Sequence, residues 1–375
     1  MEYRRFGKTN LNLSVFSLGT MRYLASEENA IDTIYKGVAC GINHLETAPG
    51  YGNSEKYLGS ALSRGLPVSR EQLYLTSKIS PGVNAAEVSQ SIDRSLGRLN
   101  VDYLDCLAIH GINTWEHLQT VVNGGYLKAL QGAIADGRVR HLGFSTHGSL
   151  ELILAAINTD LFEFINLHYY YFFQRNAPAV ALAHKKDMGV FIISPADKGG
   201  QLYTPPPTLK QLCEPFSPLE LTYRFLLSNP KITTLSFGAA NPEELDIMLN
   251  FADRTESLTP AEKETFQRLE THGSNSLGSQ SCHQCYACLP CPETIHIPEI
   301  LRLRNLTVAY DMKDYGQYRY RMFENAGHWF PGKKGDKCTE CGDCLPRCPQ
   351  QLNIPELLQD THKRLNGKSG RRLWE

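Results

Sequence analysis

Near its C-terminus the chain reads Cys282-His-Gln-Cys285-Tyr-Ala-Cys288-Leu-Pro-Cys291-Pro292, and this pattern returns as Cys338-Thr-Glu-Cys341-Gly-Asp-Cys344-Leu-Pro-Arg-Cys348-Pro349. Both segments continue alike, through Ile-His-Ile-Pro298-Glu and Leu-Asn-Ile-Pro355-Glu. Together they hold eight of the 11 cysteines. The chain therefore uses one cysteine-rich unit twice.

The spacing of these cysteines predicts two 4Fe–4S clusters. Three cysteines at steps of three wrap one loop around a cubane, and a fourth cysteine before a proline serves the other cubane. The two predicted ligand sets are Cys282, Cys285, Cys288 and Cys348, and Cys338, Cys341, Cys344 and Cys291. The step from Cys288 to Cys291 is three residues where four are usual, so Cys291 is the least constrained ligand.

Zinc and disulfides are the alternatives for so many cysteines. Zinc takes four ligands and has no use for a third evenly spaced cysteine followed by Cys-Pro. Disulfides would suit a secreted protein, and nothing else in the sequence indicates secretion. The cysteine-rich region resembles the two-cluster bacterial-type ferredoxins. A stretch of helical character between Cys291 and Cys338 makes it more similar to the helical variants of those ferredoxins.

Composition predicts an ordinary globular protein. Of its 375 residues, 42% are hydrophobic and 21% are charged, and the net charge of −1 argues against a general nucleic-acid binder. No apolar run approaches the roughly 20 residues of a membrane span. The start, Met1-Glu-Tyr-Arg-Arg, lacks the apolar core of a signal peptide. Free cysteines and iron–sulfur ligands suit a reducing compartment, so we expect a cytoplasmic protein.

Short apolar strands alternate with helical segments over most of the chain. After a hairpin at Tyr3–Ser14, the predicted strands are Val15–Gly19, Asn43–Glu46, Leu73–Lys78, Tyr103–His110, Val139–Ser145, Phe164–His168, Gly189–Ser194 and Thr233–Gly238. Eight such units over about 240 residues predict an α/β fold of the (β/α)8, or TIM-barrel, type. A doubly wound sheet is the alternative, but no Gly-x-Gly-x-x-Gly follows the first strand.

We expect three regions along the chain: the barrel over residues 1–255, a helix and linker over 256–281, and a small, mostly helical ferredoxin-like domain over 282–375. Within them, single helices are predicted at Glu116–Asp136, Pro242–Phe251 and Leu258–Glu270. The polar, glycine-containing run Thr271–Ser281 is predicted to be the linker.

Four chemically useful side chains lie at or just beyond successive strand ends, where barrel enzymes place their catalytic groups. They are Glu46, Tyr51, Lys78 and His110. A lysine beside a phenol stabilises the phenolate and lowers its pKa, and a carboxylate keeps that lysine charged. A histidine can orient a substrate oxygen by a hydrogen bond. Each residue alone could equally be structural, but together they form a proton donor for a carbonyl oxygen.

The barrel region resembles the aldo-keto reductase family over residues 3 to 252. The resemblance rests on Asn43-His-Leu-Glu-Thr-Ala-Pro-Gly-Tyr-Gly-Asn-Ser-Glu55, Leu75-Thr-Ser-Lys78, Leu107-Ala-Ile-His110, Gly137-Arg-Val-Arg-His-Leu-Gly-Phe-Ser145 and Ser194-Pro. It implies reduction of an aldehyde or ketone with NADP, or NAD, as the cofactor. Tyr51 would be the general acid, Lys78 would tune it, His110 would orient the carbonyl, and Glu46 would replace an aspartate.

The same resemblance implies a set of cofactor-binding residues: Ser145, Asn166, Ser194, Gly238 and Asn241. Two features depart from the family pattern. Ile193 stands where an aromatic residue would stack on the nicotinamide ring. The turn after the last strand, Phe237-Gly-Ala-Ala-Asn-Pro-Glu-Glu244, lacks the usual basic residue, and its two glutamates would repel a 2′-phosphate.

Three functions therefore stay open from the sequence. The leading one is a carbonyl reductase that also carries two 4Fe–4S clusters. The second is a redox enzyme that receives electrons from a ferredoxin-type carrier and needs no nicotinamide. The third is an electron-transfer or interaction protein with a non-catalytic barrel. Basic residues at Lys333–Lys337 and from Lys363 to Arg372 would suit an acidic carrier, or simply form a solvated surface.

Overall fold

The computed structural model describes residues 1–22 and 26–367. Arg371 and Arg372, part of the predicted basic surface, lie outside the described residues. The chain divides into two compact units. The first comprises Met1–Pro195 and Tyr223–Ser257, and the second comprises Ala196–Thr222 and the chain from Leu258 onward. The segment 196–222 thus joins the cysteine-containing unit, which its sequence did not indicate.

The first unit is a closed barrel of eight parallel strands, and the predicted fold class is confirmed. A short antiparallel pair precedes the barrel. The strands are β1 (Tyr3–Arg5), β2 (Asn12–Ser14), β3 (Phe16–Gly19), β4 (His44–Glu46), β5 (Tyr74–Ile79), β6 (Leu104–His110), β7 (Val139–Ser145), β8 (Phe164–Leu167), β9 (Gly189–Ile192) and β10 (Thr234–Phe237). The barrel order is β10-β3-β4-β5-β6-β7-β8-β9.

The helices also follow the predicted alternation. They are α1 (Glu27–Ala39), α2 (Ser54–Arg64), α3 (Val88–Leu99), α4 (Trp115–Val122), α5 (Gly124–Ala135), α6 (Leu150–Asn158), α7 (Ala177–Lys185), α8 (Pro207–Cys213), α9 (Pro218–Leu227), α10 (Leu245–Leu249), α11 (Pro260–Leu277), α12 (Ile297–Tyr310), α13 (Lys313–Tyr320) and α14 (Ile354–Leu365). None of the helices within the described residues is long and apolar enough to cross a membrane.

The barrel interior contains a cluster of buried apolar side chains and a layer of polar contacts. Phe6, from the hairpin below the barrel, packs with Phe164 and Phe191 in the buried core. The adjacent Gly7 permits this packing of Phe6, because any other residue would bring a Cβ into collision with the backbone of Asp187 and Met188. The buried His44 ring lies between the hydroxyls of Ser17 (2.6 Å) and Thr76 (2.7 Å).

Two of the predicted helices are interrupted in the structure. The helix expected over Glu116–Asp136 is two helices, because Asn123 is extended and Gly124 has a positive φ of 63°. The segment Pro242–Phe251 begins with a 3-10 turn at Pro242–Glu244 and continues as α10.

The run 271–281, predicted to be a linker, is largely helical. Thr259 and Glu262 form a capping box that starts α11, and the helix continues to Leu277. Tyr310 of α12 donates a hydrogen bond to the carbonyl of Leu269 (3.0 Å). At Gly273 a Cβ would lie only 2.5 Å from the Tyr310 hydroxyl, so glycine permits this close packing of the two helices. Tertiary packing therefore overrides the low helix propensity of the run.

The second unit has a core of its own around α12. Arg302 is buried and forms an ion pair with Glu299 at 2.6 Å on the same helix. Tyr315 of α13 donates to the carbonyl of Lys198 at 2.6 Å, which ties the segment 196–222 into this unit. The buried charge of Arg302 is tolerated because its ion-pair partner and its hydrogen bonds come from the same unit.

Candidate active site and cysteine cavity

The ends of β4 and β5 bring a carboxylate, an ammonium and a phenol into direct contact. Lys78 Nζ lies 2.6 Å from Glu46 Oε1 and donates to the Tyr51 hydroxyl at 3.1 Å. It also donates to the carbonyl of Thr47 at 3.1 Å. The side chains of Lys78 and Glu46 are only 2% and 4% exposed. We call this group of Glu46, Tyr51 and Lys78 the acid corner.

His110 stands beside the acid corner at the end of β6. Its ring centroid lies 5.7 Å from that of Tyr51, and the two rings are nearly perpendicular at 87°. Lys78 Nζ also lies 4.6 Å from the centre of the Tyr51 ring, a distance suited to a cation–π contact. The structure therefore brings together all four side chains predicted to be catalytic.

Burial and charge act in opposite directions on the acid corner. Burial raises the pKa of Tyr51, Lys78 lowers it in part, and Glu46 raises it again, so the pKa lies above its ordinary value. Burial lowers the pKa of Lys78, but attraction to Glu46 and Tyr51 outweighs it, so this pKa is raised. Tyr51 therefore holds its proton at neutral pH beside a charged Lys78. The expected lowering by Lys78 is present but smaller than the effect of burial.

Asn166 is connected to the acid corner. Its side-chain amide donates to Glu46 Oε1 at 3.1 Å, although the two residues are 120 positions apart. Asn166 Oδ1 is buried and has no hydrogen-bond partner among residues 1–22 and 26–367. Ser145 is the neighbour of Asn166 in the β7–β8 register, and its hydroxyl accepts from the backbone of Gly111 at 3.0 Å. Asn166 thus presents an unpaired acceptor beside the predicted proton donor.

A chain of polar side chains holds the segment after β9. Tyr170 donates to the carbonyl of Ile193, and its hydroxyl also contacts His168 Nδ1. His168 Nε2 lies 3.2 Å from a ring nitrogen of His147. Ser194 follows with a positive φ of 52°. This series of contacts was not predicted from the sequence, since its members are spread over three strand ends and follow no spacing motif.

The turn after β10 contains an ion pair that links the two ends of the barrel sequence. Arg22 donates to Glu244 at 2.7 Å and to the carbonyl of Gly238 at 2.8 Å. Glu244 Oε2 also accepts from the backbone N–H of Ala240 at 3.1 Å. Asn241 caps the same turn by accepting from the Glu244 N–H at 3.0 Å. The turn therefore has a cation nearby, contrary to the expectation from its local sequence.

The second unit contains a small cavity among the cysteines. Four of the residues that line it are Cys291, Cys338, Cys341 and Cys344. Burial raises the pKa of Cys344, and the neighbouring thiols Cys338, Cys291 and Cys341 add to that rise. Their arrangement around one cavity fits a cubane, in which each thiolate binds a different iron.

The thiols of the other predicted ligand set influence one another's pKa. Burial raises the pKa of Cys282, and the nearby thiols of Cys285 and Cys348 raise it further. Burial raises the pKa of Cys288 to about 12, and the thiols of Cys282, Cys285 and Cys344 add to that rise. Arg347 donates to the carbonyl of Pro290 at 3.0 Å and so ties the second cysteine segment to the first. The described residues contain no set of three His, Cys, Asp or Glu side chains close enough to share a single metal ion.

Comparison with known proteins identifies both parts of the chain. Residues 16–270 match the model of the aldo/keto reductase family, and residues 281–353 match that of a 4Fe-4S dicluster domain. The Bombyx mori aldo-keto reductase AKR2E4 is 27% identical over 269 residues, which cover 64% of this chain and 86% of the relative. L-galactose dehydrogenase of Arabidopsis thaliana is 32% identical over 157 residues, which cover 39% of this chain and 48% of the relative.

A solved structure supports the same fold. The holo form of aldo-keto reductase AKR11C1 from Bacillus halodurans has a TM-score of 0.61 at 21% identity, with 72% of this chain and 96% of that chain covered. The family model spans more than half of the chain, and the closed barrel has the expected topology. The chain therefore belongs to the aldo/keto reductase family, a family of oxidoreductases, and carries a C-terminal 4Fe-4S dicluster domain.

Proposed function

We propose that this enzyme reduces an aldehyde or ketone to an alcohol, with Tyr51 as the general acid and a nicotinamide dinucleotide as the cofactor. The contact of Lys78 Nζ with both Glu46 (2.6 Å) and the Tyr51 hydroxyl (3.1 Å) carries this proposal. A protonated phenol that is held in place by an ammonium is a suitable donor to a carbonyl oxygen.

Each member of the acid corner has a separate task. Tyr51 retains its proton until negative charge develops on the substrate oxygen, because its pKa is raised in the resting enzyme. Lys78 stabilises the phenolate that remains after proton transfer. Glu46 balances the charge of Lys78 and fixes its position. His110 stands next to Tyr51 and supplies a second polar group toward the carbonyl oxygen.

The unpaired oxygen of Asn166 supports a nicotinamide beside the acid corner. A buried carbonyl oxygen without a partner is costly, and a carboxamide N–H₂ would satisfy it. When bound, the cofactor supplies the hydride that the carbonyl carbon receives, while Tyr51 supplies the proton. Asn166 would hold the carboxamide, with Ser145 and Ser194 on the adjacent strand ends, and Gly238 and Asn241 belong to the turn for the phosphate end.

We further propose that the dicluster domain holds two 4Fe–4S clusters through crossed ligand sets. The thiols that line the small cavity support Cys291, Cys338, Cys341 and Cys344 as one set. Cys282, Cys285, Cys288 and Cys348 form the other. Such clusters pass single electrons, so their partner would be a ferredoxin-type carrier, and they suit a reducing, cytoplasmic location.

A second function is favoured by one observation, the Glu244 carboxylate in the turn where a cofactor phosphate would bind. In that case the enzyme would receive electrons through its clusters and use no nicotinamide. A hydride carries two electrons and a cluster one, so the two routes differ in electron count. Carbonyl reduction by reduced ferredoxin without nucleotide would support this second function.

Replacing Tyr51 tests the leading proposal. Tyr51→Phe removes only the hydroxyl, so we expect the rate of carbonyl reduction to fall about 100-fold to 10,000-fold, as for loss of a general acid. The assay follows anaerobic oxidation of NADPH and NADH with benzaldehyde and butanal. Tyr57→Phe on α2 is the matched control and should leave the rate unchanged. Unchanged turnover in Tyr51→Phe would refute Tyr51 as the acid.

Iron content tests the ligand sets. Cys344→Ser should lose about half of the iron and the absorbance of one cluster, because a cubane needs a thiolate for each iron. Cys213→Ser changes a buried thiol of the same unit outside both sets and should keep all of the iron. Full iron in the Cys344→Ser protein would exclude the proposed assignment.

A further inference from the structure

The turn after β10 is filled by a side chain of the protein itself. The Glu244 carboxylate accepts the Ala240 N–H at 3.1 Å and forms two contacts with the Arg22 guanidinium, at 2.7 and 3.3 Å. The carbonyl of Ala240 is engaged as well, by the side-chain amide of Asn29 on α1 at 2.6 Å. An anion, a cation and a backbone amide are thus already assembled at this place.

The position of this turn connects it to dinucleotide binding. Barrels of this type frequently bind phosphate in the loops that follow the seventh and eighth strands. β10 is the eighth strand of the barrel, and Gly238 follows it directly. The groups that hold Glu244, a guanidinium and a backbone N–H, are the donors that a phosphate prefers. Glu244 therefore occupies the donors that a phosphate of the cofactor would need.

We propose that Glu244 is a specificity-determining residue that excludes the 2′-phosphate, so that the enzyme selects NAD over NADP. This inference rests on the proposed function, because it assumes that a nicotinamide dinucleotide binds. A carboxylate repels a phosphate but can accept a hydrogen bond from a free ribose 2′-hydroxyl. Arg22 is the latent phosphate ligand, and Glu244 neutralises it.

The pair is accessible enough to change partners. Arg22 is 39% exposed and Glu244 is 28% exposed, so neither charge is locked in the core. Glu244→Gln keeps the shape of the side chain, removes its charge and leaves Arg22 without a carboxylate. We expect the affinity for NADPH to rise about tenfold in this variant, the equivalent of one charge-assisted hydrogen bond.

Two matched variants separate this effect from a general change of charge. Glu243→Gln removes the same charge at an exposed neighbour. The sequence alone assigned repulsion of a 2′-phosphate to both glutamates, but within the described residues it is Glu244, and not Glu243, that contacts Arg22 and the Ala240 N–H. Glu243→Gln should therefore leave both affinities unchanged. Arg22→Met combined with Glu244→Gln removes the latent ligand, and the gain in NADPH affinity should disappear. Thermal unfolding of all variants shows that each is folded before binding is measured.

Binding, rather than turnover, is the decisive measurement. Calorimetric titration of the intact iron-loaded protein with NADH and NADPH under anaerobic conditions gives both dissociation constants. We expect the wild type to bind NADH about tenfold more tightly than NADPH, and Glu244→Gln to remove that preference. Titration with 2′-AMP and 5′-AMP isolates the phosphate position and should show the same change.

The outcomes distinguish this inference from the proposed function. Equal or tighter binding of NADPH by the wild type would overturn the role of Glu244 while leaving the nicotinamide proposal intact. An equal shift in Glu243→Gln would overturn it as well. If neither dinucleotide binds to any variant, the nicotinamide part of the proposed function is refuted, and the inference with it.

Discussion

Two ion pairs of nearly equal length lie at the same end of the barrel, but they differ in burial. Lys78 and Glu46 are 2.6 Å apart with side chains at most 4% exposed, whereas Arg22 and Glu244 are 2.7 Å apart and 28–39% exposed. Water screens the second pair far more than the first. The same contact distance therefore serves different purposes: a fixed electrostatic centre in one place, and a releasable contact in the other.

The largest effect is expected from breaking the buried pair. Lys78→Met removes the cation beside Tyr51, so carbonyl reduction should fall about 100-fold to 10,000-fold. The variant also leaves the Glu46 carboxylate buried without its cation, which should lower the free energy of unfolding by about 3 kcal/mol. Steady-state rates and urea unfolding measure the two losses separately.

A double variant shows whether the two losses have separate causes. Adding Glu46→Gln to Lys78→Met removes the unpaired charge, so stability should return in large part while activity stays low. Recovery of activity together with stability would contradict a chemical role for Lys78, because it would show that Lys78 acts only through folding.

The acid corner and the adjacent His110 could be predicted from the sequence because their positions follow from local rules. Glu46, Lys78 and His110 each end a short apolar strand, and strand ends meet at one edge of a parallel barrel. The Arg22–Glu244 pair could not be predicted, since its partners are 222 positions apart and neither belongs to a motif. Asn166 is intermediate: its strand was recognised, but its bond to Glu46 depends on side-chain direction inside the barrel.

Element type was also more predictable than element limits. The eight barrel strands differ from their predicted limits by at most two residues at either end. The helix α11, in contrast, extends through the run predicted to be a linker, because Tyr310 packs closely over Gly273. Whether such a run is helical depends on packing partners from distant parts of the chain, and a local sequence pattern does not reveal those partners.

The next largest effect is a dependence of stability on pH that originates at the buried His44. Burial, together with the charge of Lys78, lowers the pKa of His44 to about 3. The unfolded chain would bind a proton near pH 6.5 and the folded chain only near pH 3, so stability falls as pH drops through that window. Between pH 6.5 and 5 the loss should be about 2 kcal/mol.

Thermal unfolding at pH 7 and pH 5 measures this loss. His44→Gln keeps hydrogen-bonding groups for Ser17 and Thr76 but cannot titrate, so its stability should depend less on pH than that of the wild type. His184→Gln, an exposed histidine on α7, is the control and should behave like the wild type. Equal pH dependence in the wild type and His44→Gln would show that His44 does not contribute.

A smaller effect is expected at Asn166, which connects the acid corner to the proposed cofactor. Asn166→Ala removes the hydrogen bond to Glu46 and the unpaired oxygen together. Dinucleotide affinity should fall about tenfold, the equivalent of one or two hydrogen bonds, with a small loss of stability. Titration of the iron-loaded protein with NADH measures it. Unchanged affinity would place the nicotinamide elsewhere.

The smallest effect is expected from the exposed pair, and it is the sharpest test of the contrast. Arg22→Met should lower the free energy of unfolding by less than about 1 kcal/mol, because a screened surface ion pair contributes little. In 1 M salt, where the Debye length is about 3 Å, even this difference should shrink, whereas the loss in Lys78→Met should persist because burial keeps ions away from the pair. Urea unfolding of both variants at low and high salt makes the comparison. A loss in Arg22→Met as large as that in Lys78→Met would mean that the turn after β10 is a structural element, and that Glu244 is not free to exchange its partner for a ligand.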